Sequence, residues 1–283
     1  MRIAVVGAGG QLGAAVAEEC AAAHETITFT RAELDTTDDA AVAAAMALAR
    51  PEVIVNGSAF TDVDAAEDHP VDALNVNAFA VRALARAAEM HGAALVHFST
   101  DFVFDGTAST PYTEEDRPNP RNVYAASKLL GEWLALEAPR AYVLRVESLF
   151  GRAAHGPAAK GSVAGIVKML LGGGTPKVFE DRTISPTYVL DGAWATRRLL
   201  ESGARPGLYH CVNSGSCTWL EFARELARQL GVEPRVEAVK MGDVQLRATR
   251  PQYCALSNEK LRSAGIDLPA WQDALKRYVV TIR

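Results

Sequence analysis

Met1-Arg-Ile-Ala-Val-Val-Gly-Ala-Gly-Gly-Gln-Leu-Gly13 is the stretch from which the fold is read. Ile3 to Val6 is a short apolar run with β-branched residues, the pattern of a parallel strand buried on both faces. Gly7, Gly10 and Gly13 follow at G-x-x-G-x-x-G spacing, and Ala14 to Ala23 reads as a helix. Glycines in such a turn let the chain reverse tightly and bring backbone N–H groups close to a pyrophosphate at the positive helix N-terminus. The spacing departs from G-x-G-x-x-G, because after Gly7 and Gly9 the third glycine would fall at Leu12. A Walker loop is excluded, since no Gly-Lys-Ser/Thr follows.

Working outward, strands and helices alternate. Thr26 to Thr30 is a second strand, Asp38 to Arg50 an alanine-rich helix opened by Thr/Asp caps, and Val53 to Asn56 a third strand. Pro70 to His91 reads as one helix with Val71, Leu74, Phe79, Leu84 and Ala88 on its buried stripe. Leu95 to Phe98 and Tyr142 to Val146 complete the strands of this half. The order predicts an α/β fold, a Rossmann-type doubly wound parallel sheet, with ligands outside the carboxyl ends of the strands. The glycine turn, Asn56-Gly-Ser-Ala-Phe-Thr61 and Ser99-Thr100-Asp101 would converge there.

Beyond about residue 150 the pattern loosens. Gly172-Gly-Gly174 reads as a helix stop, Leu190 to Ser202 as a helix returning to the first unit, and Gly207 to Val212 as a short strand. Thr218 to Leu230 reads as a capped helix and Trp271 to Val280 as a terminal one. The expected organisation is a dinucleotide-binding domain over 1–150 with a returning segment about 187–203, and a substrate-binding lobe over 151–186 and 204–283.

A net charge of −5 without a basic tract gives nucleic-acid binding little electrostatic support. Cys20, Cys211, Cys217 and Cys254 show no C-x-x-C spacing and read as reduced thiols. No apolar run reaches membrane-spanning length, and Met1 opens directly into the first strand. The expectation is a cytoplasmic protein without membrane contact.

The chemistry is carried by Asn122-Val-Tyr-Ala-Ala-Ser-Lys128, some way after Phe98-Ser-Thr-Asp101. Tyr124 and Lys128 share one helix face, one turn apart, where an ammonium would favour phenolate and lower the tyrosine's pKa from about 10. With Phe98-Ser-Thr-Asp-Phe-Val-Phe-Asp-Gly106, Asn122-Val-Tyr-x-x-Ser-Lys-x-x-Gly-Glu132, Pro186-Thr187, Gly207-Leu-Tyr-His210 and Arg250-Pro251, the chain resembles the RmlD-like, dTDP-4-dehydrorhamnose reductase family of extended short-chain dehydrogenases/reductases. The resemblance runs nearly end to end.

It implies reduction of a C4 keto group on a nucleotide-diphosphate 6-deoxy sugar. Tyr124 would give the proton, Lys128 would lower the Tyr124 pKa and hold the nicotinamide ribose, and Thr100 would bond the carbonyl. Oriented donors of this kind strengthen as charge develops on the oxygen. Asn77 would support the site, and Asp101 and Phe102 would contact the sugar. Gly7, Gly10, Gln11, Leu12, Ser58 and Ala59 would line the cofactor. Arg31 at the end of the second strand leans the cofactor towards NADPH, with NADH possible because Glu33 lies close, and Asp35 falls near the adenine.

The departures from the family's pattern matter equally. Ser148 stands where the family has a sugar-lining tryptophan, and Arg182 where it has a neutral amide. Arg182 and Arg250 are the expected diphosphate ligands, because guanidinium pairs bidentately with phosphate. Carboxylates that bridge a metal-dependent dimer in some members would fall near Ala15 and Leu190, so the expectation is no metal and either a monomer or a metal-independent dimer. The regulatory subunit of methionine adenosyltransferase, and epimerases or dehydratases on the same scaffold, are the competing kinds. Dehydration is disfavoured because Phe102, not an acid, follows Asp101.

Overall fold

The structure, a computed structural model, describes residues 1–282. Its first half runs β1 (Arg2–Val6), α1 (Gln11–Ala21), β2 (Glu25–Phe29), α2 (Asp39–Ala49), β3 (Val53–Asn56), α3 (Val63–Asp68), α4 (Pro70–Leu74), a π-helical turn (Asn75–Phe79), α5 (Ala80–His91), β4 (Ala94–Thr100), α6 (Val123–Ala135) and β5 (Ala141–Val146). The second half contains β6 (Leu149–Phe150), α7 (Gly161–Leu171), β7 (Lys177–Phe179), β8 (Thr183–Ile184), β9 (Thr187–Tyr188), α8 (Val189–Glu201), β10 (Gly207–His210), β11 (Cys217–Thr218), α9 (Trp219–Leu230), β12 (Glu237–Val239), α10 (Glu259–Ser263) and α11 (Trp271–Ile282).

The main sheet has six strands in the order β10-β5-β4-β3-β1-β2. Every neighbouring pair in it is parallel. Its register lines up the carboxyl ends: Val6 lies opposite Phe29 and Asn56, Asn56 opposite His97, and Thr100 opposite Val146. The residues that follow, Gly7, Gly57, Asp101 and Glu147, therefore leave the sheet along one edge. Alternation divides β1 between two cores: Ile3 and Val5 pack towards α1 and α8, Ala4 and Val6 towards α2 and α5. A separate core gathers Phe150, Tyr188, Phe222, Trp271 and Tyr278.

Two expectations change. Gly207–His210, assigned by the sequence reading to the smaller lobe, pairs with β5 as the sheet's outermost strand. The stretch 70–91 is not one regular helix: it widens into the π-helical turn at Asn75–Phe79. Asn77 sits in that turn, fully buried. Its amide oxygen accepts from Phe60 N at 2.9 Å, and its amide nitrogen donates to Phe60 O at 3.0 Å and to Ser127 Oγ at 2.9 Å. The wider turn thus lets one side chain fasten the loop after β3 to α6. The triple glycine does end α7, with Gly174 N returning to Met169 O at 2.8 Å.

Candidate active site

The turn after β1 forms one end of a cleft. Gly7 has φ 76°, and a Cβ there would lie 2.5 Å from Ser58 N; a Cβ on Gly13 would lie 2.3 Å from Gly7 O. Only glycine permits this approach of loop, helix and neighbouring loop. Gly10 caps α1 without any side-chain partner, so the first-turn N–H groups, those of Gln11 and Leu12 included, remain available to an anion. The side chains of those two residues act elsewhere: Gln11 Nε2 donates to Gly151 O at 2.6 Å, and Leu12 is in the core beside α8.

The cleft has a volume of about 620 Å³ and is lined by Gly7, Gly10, Arg31, Asp35, Ser58 and Ala59, among others. Asp35 turns back on its own loop, accepting from Thr37 N and Oγ1 at 3.0 and 2.7 Å, which holds its carboxyl below the ordinary range. Glu33 is similarly occupied, accepting at 2.8 Å from both Thr30 N and Thr30 Oγ1. Arg31 is left exposed on the cleft wall with the nearby acid turned to other work. These residues fit a dinucleotide: a donor-rich helix end for phosphates, a cradle that side chains would fill, and a cation beside the ribose end.

At the carboxyl end of β4, Thr100 is 5% exposed and its hydroxyl donates to Asp101 Oδ1 at 3.0 Å. Tyr124 and Lys128 lie on α6, whose first turn is capped by Asn122 Oδ1 accepting from Ala125 N at 2.7 Å. Tyr124 is half-buried and edge-on to Phe102, ring centroids 5.7 Å apart. Burial pushes its phenol up to about 12, and hydrogen bonding from Thr100 pulls the other way. Lys128 is buried and donates to Phe98 O at 2.6 Å. Burial brings its ammonium down to about 8, and the Glu132 carboxylate one turn along opposes that fall.

The expected lowering of Tyr124 by Lys128 is not seen in the protein alone: desolvation and the Asp101 charge raise the phenol, only the Thr100 hydrogen bond opposes them, and the lysine is turned to the main chain of β4. A phenol at about 12 is a proton donor throughout the neutral range.

Arg250 is committed to structure. It grips Asp64 with two bonds, 3.0 and 2.8 Å, and donates to Ala248 O at 2.9 Å, which ties the 248–250 loop to α3. Arg182 is nearly buried. Its guanidinium carbon lies 5.1 Å from the Phe102 ring centroid, its Nη2 donates to Cys254 Sγ at 3.7 Å, and it stands 3.9 Å from Asp101. Arg250 thus presents no open fork for a diphosphate, whereas Arg182 makes only these long contacts, keeps its Nε without a partner and lines a cleft of about 300 Å³ with Phe179 and Trp219. Glu147, which the sequence reading assigned no role, completes this cluster. Its position directly after β5, at the edge where ligands bind, was the available signal. Ala15, at the expected metal position, is core, and Leu190 packs against the same core.

A glycine-turn cleft at the carboxyl edge of a parallel sheet, with Thr100 ending the nearby strand β4 and Tyr124 and Lys128 on the helix packed against that strand, is the arrangement of an extended short-chain dehydrogenase/reductase. Comparison over the whole chain narrows this: residues 1–283 match the family described as RmlD substrate binding domain, and the chain belongs to that family. It is 37% identical over 282 residues to a dTDP-4-dehydrorhamnose reductase of Mycobacterium tuberculosis, covering 97% of this chain and 91% of that one. It is 33% identical over 280 residues to the spore coat polysaccharide biosynthesis protein SpsK of Bacillus subtilis, covering 98% and 96%. The crystal structure of a dTDP-4-dehydrorhamnose reductase from Bacillus anthracis in complex with NADP superposes with a TM-score of 0.91 at 31% identity, covering 99% of both chains. Among the described residues no helix is long and apolar enough to cross a membrane.

Proposed function

We propose that the protein reduces the C4 keto group of a nucleotide-activated 6-deoxy-4-keto sugar with NADPH, converting dTDP-4-dehydrorhamnose to dTDP-rhamnose. The observation that carries this reading is the juxtaposition of the Thr100 and Tyr124 hydroxyls, with Lys128 buried one turn further along α6, at the carboxyl edge of the sheet where the glycine turn also lies. The named reductases that match over nearly the whole chain support it, as does the NADP-bound relative.

NADPH supplies the hydride when bound. The α1 N-terminus takes its pyrophosphate, Arg31 meets the 2′-phosphate, and the Lys128 ammonium holds the ribose hydroxyls. Tyr124, a phenol kept protonated by burial, donates to the keto oxygen as that oxygen gains charge, and Thr100 donates a second hydrogen bond to it. Phe102, edge-on to Tyr124, would contact the sugar, and the smaller lobe, which carries the second cleft of about 300 Å³ lined by Phe179, Arg182 and Trp219, would be the substrate side. We read the protein as cytoplasmic, and as a monomer or a metal-independent dimer.

The test is oxidation of NADPH and NADH with dTDP-4-dehydrorhamnose generated in situ. Tyr124→Phe is expected to lower the rate by about 10²- to 10⁴-fold while dinucleotide affinity stays within a few-fold. A variant that keeps most of its activity would remove Tyr124 as the acid.

A further inference from the structure

Asp101 and Glu147 emerge from the ends of adjacent strands β4 and β5 and are 3% and 2% exposed. Asp101 Oδ2 and Glu147 Oε1 are each buried without a hydrogen-bond partner. A carboxyl oxygen of each and Cys254 Sγ all lie within 4.8 Å of one another. The other oxygens are fixed: Asp101 Oδ1 stands 3.0 Å from Thr100 Oγ1, and Glu147 Oε2 accepts from Ser185 N at 2.7 Å.

The spacing resembles a metal site, but a guanidinium already faces it. Arg182, 3.9 Å from Asp101, is the cation within ion-pairing distance among the described residues. Cys254 donates to Pro251 O and is kept as a thiol by burial; Cys217 and Tyr253, the other titratable groups near Glu147, are also held neutral by burial. Two carboxylates this close, in a dry interior and with one compensating cation, do not both ionise. Burial raises both acids, and the Asp101 charge raises Glu147 further.

We propose that Asp101 and Glu147 hold one proton between them, and that this proton, passed through the Thr100 hydroxyl, replaces the one Tyr124 gives to the substrate. The proposal rests on Tyr124 being the acid, as read above. As the keto carbon takes the hydride, the Tyr124 O–H bond breaks and an O–H bond forms on the sugar oxygen. Once the sugar hydroxyl has formed, the Thr100 hydroxyl turns from it and gives its proton to the phenolate, and the proton of the pair, carried at that moment on Asp101 Oδ1 with Glu147 ionised, moves to Thr100 Oγ1. The pair is left doubly ionised beside Arg182 and regains its proton from solvent. The Thr100–Asp101 contact serves both states, since the threonine donates to an ionised carboxylate and accepts from a protonated one. Both acids act through Thr100 and are positioning residues, not groups that touch the sugar.

The test uses the intact protein and its NADPH complex. At about pH 8, far above the ordinary carboxyl range of about 4, the infrared spectrum should carry a protonated carboxylic-acid band that Glu147→Gln removes, because Asp101 alone then ionises against Arg182. Turnover in mixtures of H2O and D2O should give a curved dependence on deuterium fraction, reporting more than one proton in flight. In Glu147→Gln it should become linear, with kcat lower by about 10-fold and NADPH affinity unchanged within about two-fold. No acid band in the unaltered protein, or a linear dependence in it, overturns the proposal whether or not the variant folds. Undiminished activity in Tyr124→Phe would instead sink the reading beneath it.

Discussion

Glu132→Gln offers the sharpest quantitative test of how the catalytic helix is held. Glu132 on α6 and Arg145 on β5 form two bonds of 2.7 and 2.8 Å with side chains 3% and 1% exposed. The guanidinium carbon also lies 4.9 Å from the Phe104 ring centroid. Among the described residues no second anion bonds to it, Glu114 acting only from farther off; His210, 3.4 Å from Nη1, is kept neutral by burial and by the arginine itself, its pKa brought down to about 3. Glutamine keeps the shape and one acceptor but leaves a buried guanidinium uncompensated, a loss of about 3–5 kcal/mol. Because one hydrogen bond survives, the lower end applies, about 3 kcal/mol, or roughly 6–12 °C in Tm for a chain of this size. Urea unfolding followed by circular dichroism measures it. Glu132→Leu with Arg145→Met removes both charges and should recover most of the loss. A single variant within about 1 kcal/mol of the unaltered protein, or a double variant no better than the single, would refute the uncompensated-charge reasoning. A functional readout accompanies it: Lys128 loses the carboxylate that opposes its depression, so its pKa falls further and NADPH affinity at neutral pH drops.

NADPH affinity should weaken as pH rises through about 8, where Lys128 loses its proton, and a flat profile would remove the lysine from the ribose. The stability contribution of Lys128 has the opposite slope: between about 8 and 10.5 the unfolded chain binds the extra proton, so this group adds stability as pH rises across that window. Gly13→Ala should destabilise by about 1–3 kcal/mol despite alanine's helix preference, because its Cβ meets Gly7 O at 2.3 Å; Gly9→Ala, with its nearest contact at 3.7 Å, is the control that should change little. Arg31→Glu should reduce the preference for NADPH over NADH by about 10-fold or more, measured as a ratio of kcat/KM values; an unchanged ratio would show that Arg31 does not read the phosphate. Arg250→Ala should cost about 0.5–1 kcal/mol, since its partner Asp64 is 44% exposed, and leave KM for the sugar nucleotide within a few-fold; a rise of about 100-fold would restore its diphosphate role.

The sheet was legible because its signals are local. The run Ile3 to Val6, the glycine turn and the alternation that follows each state their structure within a few residues; the observed β1, β3 and β5 fall where they predict, and α1 begins three residues earlier, taking in Gly13. Thr100, Tyr124 and Lys128 could be singled out for the same reason, each sitting in a short motif. What could not be read depends on approach from afar. Gly207–His210 is a strand in either reading, and only its pairing with Tyr142–Arg145 decides which sheet it extends. The Asp101–Glu147–Arg182–Cys254 cluster draws on widely separated segments, and it is desolvation there, invisible in a spacing, that governs the charges. The same effect reversed the expectation for Tyr124, whose phenol burial raises.

The sheet's edge strand has a consequence for how the chain assembles. β10 joins β5 although β6 to α8 lie between them in the chain, and α8 packs with α1 into the core on one face of the sheet. Without β10, β5 would be an open edge of a parallel sheet, the kind of edge that invites pairing with another chain. Arg277 on α11 then clamps Asp191 on α8 with two bonds of 2.7 Å, fastening the last helix to the segment that closes the sheet. Synthesis from the N-terminus thus leaves the dinucleotide half waiting for its own second instalment, and mutations in α8 or α11 should appear first as lost yield of folded protein and only afterwards as lost turnover.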